Sequence, residues 1–367
     1  MSNPGDTRLP SSTPWSTAGV VLPRQPCRGR QVTSTLAILI CGLTAGCRSA
    51  ATLPPPSVAP TPTLVPTPTF TATEAAFAAN LNPLDGLPSA ERDIATRRPY
   101  GYAVRGTESS GWSGIQAAEV VFENRADPES ALTVLTLHSA DARPTPGPLG
   151  TASPFDVIVA QLFDATLTAG GAPPTTRRDA EAAGVPITLV ARSAGVPPGT
   201  RESNDAGAPR AIGAARGSRR HGTEPPWTFT IEGVTGSAGR PAQAVQLTDP
   251  TAADPAESVV WRYDPVITVW RRYENDEPVG DSATGETLTV VNVIILLAPD
   301  GAVPATPLVG TGMVHVLGQG VDMPARWERS SGDQPLAILD SAGMAVALRP
   351  GNTWLMWVKA TAGIAFE

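Results

Sequence analysis

Between residues 82 and 191 apolar positions recur with two periods. "YGYAVRG" (100–106) and "AEVVFEN" (118–124) alternate apolar and polar residues, the two-residue period of a strand, and "ALTVLTLH" (131–138) is the short apolar run of a buried one. "PFDVIVAQLF" (154–163) shifts to the helical period and places Phe155, Ile158, Val159 and Leu162 on one face. "DATLTAGG" (164–171) then reads as a strand running into a glycine pair, and "TRRDAEAAG" (176–184) as a short helix. Thr176 and Asp179 have the spacing of a capping box for that helix, and Gly184 suits its C-terminal cap. "VPITLVA" (185–191) returns to a strand pattern.

From Pro225 the pattern is of short strands and turns. "VVWRYDPVITVWRRYENDEPV" (259–279) predicts two strands across Asp264-Pro265 and a turn at Glu274 to Glu277, whose spacing is not that of a calcium loop. "ETLTVVNVIILLAP" (286–299) predicts a long strand or a strand pair, followed by strands in "GTGMVHVLGQG" (310–320) and "MPARWERS" (323–330). The stretch 335–358 adds turns at Ser341 to Gly343 and at Pro350-Gly351. Six of the eight tryptophans, Trp227, Trp261, Trp270, Trp327, Trp354 and Trp357, lie in this half, and a β core is the favoured place for them over a sugar-stacking surface. The fold class expected is α+β. Residues 82–224 form an N-terminal α/β domain with a mixed sheet flanked by helices. Residues 225–367 form a smaller, β-rich antiparallel domain.

Before residue 82 the pattern differs. Arg24, Arg28 and Arg30 precede an uncharged run, 31–46, whose strongly apolar part, Leu36 to Leu43, is about eight residues long. A membrane span needs about 20 residues; a signal-peptide core needs fewer. Thr44, Ala45 and Gly46 then lead to Cys47, which resembles a bacterial lipobox, with Leu43 one place further from the cysteine than usual. Residues 1–46 are therefore expected to be a signal peptide and Cys47 the lipidation site. The long polar start leaves Val20, Val21 or Leu22 as an alternative initiation point. Residues 47–81 follow as the lipidated cysteine and a linker, with prolines at 54, 55, 56, 60, 62, 66 and 68. Proline removes amide donors and blocks helix and sheet, so this tract favours an extended spacer that at ~3.1 Å per residue could reach roughly 100 Å.

Charge narrows the function. The chain of 367 residues carries −7, and residues 1–46 contribute +3 (Arg8, Arg24, Arg28 and Arg30 against Asp6), so the remainder carries −10. That balance argues against nucleic acid as a partner. Cys27, Cys41 and Cys47 are the only cysteines, and His138, His221 and His315 are far apart, so neither a metal site nor a cofactor is implied. The loop "TAGGAPP" (168–174) between strand and helix is the candidate ligand or anion loop, through Thr168, Gly170 and Gly171, against the plainer reading of a structural turn.

The order and spacing of "NPLDGLP" (82–88), "SGIQAAEVVFE" (113–123), "GP" with "SPF" (147–155), "AGG-P" (169–173), "WRYDP" (261–265), "TGE" (284–286), "LVGTG" (308–312) and "L-PG-TW" (348–354) resemble the YerB-like lipoprotein family, a bacterial family of unknown function. The resemblance covers about residues 82 to 360 and implies an N-terminal domain followed by a smaller β-rich one. Several polar positions of the family pattern are replaced here. Ser110 stands for an arginine, Gly150 and Ser153 for two more, Thr168 for a histidine, and "GAPRA" (207–211) for a segment with lysine, histidine and asparagine. By that resemblance the backbone-shaping glycines and prolines are kept while a polar site is lost.

None of the G-x-S-x-G, H-E-x-x-H, P-loop or paired-carboxylate motifs occurs. The favoured reading is a non-catalytic, membrane-tethered binding or scaffolding module on the extracytoplasmic face of the cell membrane, with envelope proteins or cell-wall glycan as partners. Its rivals are a cell-wall-active enzyme and, less well matched, a solute-binding protein. Convergence of Glu123, Arg105 and Arg177 on one pocket would favour the enzyme.

Overall fold

Alternation of buried side chains on both faces of the central strands dictates a sheet covered on two sides, and the chain supplies two different covers. The computed structural model describes residues 81–91, 94–106, 111–126, 131–136, 146–190, 225–231, 234, 239–248, 258–299 and 308–367. The expected signal peptide, Cys47, the linker as far as residue 80, Ser110, His138, residues 207–211 and His221 lie outside the described residues. The strands in chain order are β1 (Tyr100–Arg105), β2 (Val120–Asn124), β3 (Ala131–Thr136), β4 (Thr166–Ala169), β5 (Ile187–Leu189), β6 (Thr228–Phe229), β7 (Arg240–Pro241), β8 (Ala244–Thr248) and β9 (Ser258–Asp264). They continue as β10 (Val269–Glu274), β11 (Glu277–Pro278), β12 (Thr289–Val290), β13 (Asn292–Leu297), β14 (Gly310–Gly318), β15 (Val321–Arg329), β16 (Ala337–Leu339), β17 (Ala347–Leu348), β18 (Thr353–Val358) and β19 (Gly363–Phe366). The two α-helices among the described residues are α1 (Pro154–Leu162) and α2 (Pro174–Ala182).

The larger sheet has eleven strands in the order β16-β15-β14-β13-β18-β2-β3-β1-β4-β5, with β7 added beside β15. It is mixed: β18 lies parallel between β13 and β2, and β4 parallel between β1 and β5. The smaller sheet is β11-β10-β9-β8-β19 with β12 beside β10, and all its pairs are antiparallel. One face of the larger sheet, with Ala103, Phe122, Leu135 and Leu167, packs on α1 and α2. The other face, with Tyr102, Val121, Val134 and Trp354, packs on Val245, Val259, Trp261 and Trp270 of the smaller sheet. All six tryptophans of the second half are buried, as expected of a β core.

Two expectations need correction. Among the described residues the fold is mostly β, with 47% in strands and two α-helices, rather than an α/β domain followed by a β domain. The buried strands of 100–136 suggested helices on both faces; the second cover is a sheet supplied by residues 244–290 and 363–366. Nor does a sheet end near residue 224, because β18 pairs with β2 in register Thr353↔Val120 to Trp357↔Asn124. Strands from both halves therefore share one sheet. The predicted strand pair at 286–299 is real but divided: β12 joins the smaller sheet and β13 the larger, with the crossing at Val291. Gly351 at φ +143° packs against Val291, where a Cβ would come within 2.3 Å of its side chain.

The helix caps also differ from expectation. Thr176 is buried inside α2, whose N-cap is Pro173 with no side-chain bond, so Thr176 and Asp179 do not form a capping box. The capping box sits on α1 instead, where Ser153 and Asp156 cap each other. Gly184, at φ +68° just past the end of α2, terminates that helix as predicted. Among the described residues no helix is long and apolar enough to cross a membrane.

Candidate functional site

The glycine loop lies at the carboxyl end of β4, the end where open α/β sheets hold ligands. β1 and β4 pair only from Tyr100↔Thr166 to Tyr102↔Thr168. Beyond that point residues 149–152 come between them. Gly150 donates its N–H to the Ala103 carbonyl at 2.9 Å, Gly170 donates to the Gly150 carbonyl at 2.8 Å, and Ala152 donates to the Gly171 carbonyl at 2.8 Å. The chain thus fills the crevice itself, and the Gly170 amide is engaged in it. A Cβ on Gly170 would lie 3.1 Å from the Leu149 carbonyl oxygen, so the glycine permits this close approach. Thr168 is buried in register with Tyr102, whose hydroxyl is pushed above its ordinary pKa by burial and by neighbouring Tyr100. Pro174, the first residue of α2, has no N–H to offer an anion.

Beside this crevice stands an ion pair of which the sequence pattern singled out only Arg105. Arg105, at the end of β1, pairs with Asp156 of α1, whose side chain is fully buried. Asp156 also accepts from Thr133 Oγ1 at 2.8 Å, from Ser153 Oγ at 2.8 Å and from the Ser153 N–H at 2.7 Å. The Arg105 side chain lies over Gly150, where a Cβ would meet its Cγ at 2.0 Å. The small residues at 150 and 153 thus serve this ion pair: Gly150 makes room for Arg105, and Ser153 supports Asp156.

Glu123 points the other way, into the interface between the sheets. It is 1% exposed, and Arg272 of β10, fully buried, donates to it through Nη1 at 2.9 Å and Nη2 at 3.0 Å. Trp354 Nε1 donates at 2.7 Å, and Arg125 Nη1 lies at 3.2 Å. The guanidinium carbon of Arg272 sits 4.8 Å from the ring centroid of Trp354, 5.4 Å from that of Trp112 and 5.5 Å from that of Trp261. Burial alone would push the Glu123 carboxyl up; the Arg272 and Arg125 charges and the hydrogen bonds from Arg272 and Trp354 outweigh it and hold the group below its ordinary value. The signal was available in "VWRRYE": alternation puts Trp270, Arg272 and Glu274 on one face of β10, and a charge beside an inward tryptophan needs a buried partner.

Arg105 and Glu123 thus lie on opposite faces of the larger sheet, and Arg177 is exposed on α2. The three residues do not converge. A small pocket at the same end of the strands, lined by Arg125, Leu247, Thr248, Val358, Lys359 and Ala362, has a volume of about 20 Å³, room for roughly one water.

At the margin between the sheets, His315 Nδ1 faces both carboxylate oxygens of buried Asp322 at 3.1 Å. Arg240 Nε donates to Asp322 at 2.9 Å, and its guanidinium stacks 4.0 Å from the Phe366 ring centroid. A carboxylate that orients an imidazole in this way is one element of general-base sites.

Residues 251–355 match the model for the C-terminal domain of a family described as proteins of unknown function (DUF3048). No curated protein matches the chain. In fold the chain is similar to the crystal structure of the YerB protein from Bacillus subtilis, with a TM-score of 0.59 and 18% identity over 78% of this chain and 99% of that one. Both findings support the YerB-like resemblance read from the motifs.

Proposed function

We propose that the chain, with its YerB-like fold, is a membrane-tethered lipoprotein on the extracytoplasmic face of the cell membrane, acting there as a non-catalytic binding or scaffolding module. The observation that carries the reading is the order of segments in the sequence. A charged start and a short apolar run end at Cys47, a proline-rich stretch follows, and the described fold starts at Leu81. Lipidation of Cys47 would leave a two-sheet fold held at the end of that stretch. The separation of Arg105, Glu123 and Arg177 supports binding over catalysis, because each ion pair joins layers of the fold. Envelope proteins or cell-wall glycan are the partners proposed.

Crosslinking in the organism's own cells, with the Cys47→Ala chain as the untethered comparison, tests this. The expected result is an envelope protein or glycan captured by the tethered chain and lost with Cys47→Ala. Recovery of neither would overturn the reading. The alternative, a cell-wall-active enzyme, draws on the His315–Asp322 pair. Degradation of isolated cell wall by the purified protein, abolished in His315→Ala with the fold intact, would favour it; the present reading expects no degradation by either.

A further inference from the structure

Eight large hydrophobic residues are exposed among the described residues, and five of them, Leu81, Leu87, Ile231, Val266 and Ile267, lie at one end of the fold. Their neighbourhood follows from a chain of contacts. The N–H of Asn82 donates to the Leu87 carbonyl at 2.8 Å, which holds Leu81 beside Leu87. Gly86 between them packs against Phe229, where a Cβ would come within 2.6 Å of the ring. Thr230 donates to the Leu348 carbonyl at 2.9 Å, so Ile231 follows beside Arg349. Arg349 Nη1 donates to Thr268 Oγ1 at 2.6 Å, which ties in the β9–β10 hairpin tip. Gly351 donates to the Asp85 carbonyl at 2.7 Å and closes the circle.

The hairpin tip has no folding reason to be apolar. Tight hairpin turns favour Asn, Asp and Gly, whereas this one carries Pro265, Val266 and Ile267, with Val266 87% and Ile267 52% exposed. Asp264 accepts from the Val266 N–H at 3.0 Å and from Arg271 Nη2 at 2.8 Å, which holds the two aliphatic side chains outward. Ile231 is 89% exposed on the neighbouring loop. Clustered apolar tips of this kind mark a contact surface.

We propose that this end of the fold is a lipid-contacting surface that docks on the membrane carrying the anchor. The occupant follows from where the chain outside the described fold arrives. Leu81 is both the first described residue and a member of the patch, and the residues before it lead back to Cys47. The proposal rests on the lipidation reading. A tether that ends inside the patch raises the effective concentration of bilayer at these loops above that at any other part of the surface. Val266, Ile267 and Ile231 would enter the headgroup–acyl boundary, and Arg349 would meet lipid phosphate.

The test uses the full chain, purified from membranes and reconstituted in vesicles of phosphatidylethanolamine and phosphatidylglycerol. Val266→Cys is labelled with an environment-sensitive dye and compared with Leu189→Cys, an exposed site at the opposite end of the strands. The wild-type chain is the anchor control: with Cys47 lipidated and the signal removed it takes up no dye. Dye uptake by the wild type would show that the lipidation reading fails, independently of the surface. Given an anchored chain, acyl-brominated lipids should quench dye at 266 at least about twofold more than at 189, in keeping with a loop seated in the interface. Equal quenching would overturn the proposal. So would a blue-shifted dye at 266 that lipid bromine does not quench, since that marks a protein partner or a second copy instead.

Discussion

Replacing Arg272 with Met removes the cation that neutralises Glu123 while keeping a side chain of similar length against Trp112, Trp261 and Trp354. Glu123 then loses the bonds at 2.9 and 3.0 Å and keeps the Trp354 indole and Arg125. Removing one partner of a buried pair costs about 3–5 kcal/mol, because the remaining charge stays desolvated. For a fold of this size that lowers Tm by on the order of 10 °C. A second variant, Arg272→Met with Glu123→Leu, takes away both charges and should recover most of the loss, since an apolar replacement of a buried pair is often neutral or better. The assay is urea unfolding followed by tryptophan emission, to which the three indoles around Arg272 contribute together with buried Trp227, Trp270, Trp327 and Trp357.

The pH dependence sharpens this prediction. In the wild type Glu123 is held below its ordinary value, so its contribution is present above the unfolded pKa and is lost as pH falls through the folded one. Without Arg272, burial dominates and raises the group. Protonation then relieves the desolvated charge, so the stability gap between Arg272→Met and wild type should narrow as pH falls from neutrality towards 4.5. A single variant within about 1 kcal/mol of wild type, below the range for a broken buried pair, would refute the reasoning. A double variant no more stable than the single would do the same.

Other substitutions test the helix-facing side. Gly150→Ala should cost about 1–3 kcal/mol, because its Cβ must displace Arg105 from Asp156, and the loss should shrink in the background of Arg105→Ala. Thermal unfolding of the four chains gives that cycle. Ser153→Ala should cost ~1 kcal/mol by removing the α1 cap, visible as a lower urea midpoint with unchanged slope. His315→Ala should leave in-cell partner capture unchanged; its loss would move the functional surface to the His315–Asp322 margin.

Local pattern carried much of the fold. The two-residue period located β1, β2, β9, β10 and β14, and glycine at 184 located the end of α2. What local pattern could not carry was pairing at long range. Nothing near Val120 announces that its partner is Thr353, and a strand buried on both faces reads the same under a helix or under a second sheet. The cap of α2 failed for a related reason: Thr176 and Asp179 have the right spacing, but two prolines at 173 and 174 start the helix earlier and carry Thr176 inside. At the candidate site, the glycine loop was visible as "TAGG", but its role depends on residues 149–152, which enter from elsewhere in the chain. Arg272 and Asp156 were each in plain view as charges within apolar patterns, and each has its partner in another layer.

Mass spectrometry of the N-terminal peptide of the mature protein from its own membranes tests the lipidation of Cys47 most directly. The expected result is a chain that begins at Cys47 with diacylglycerol in thioether linkage to its sulfur. A mature chain that begins elsewhere, or that carries Cys47 as a free thiol, would contradict it.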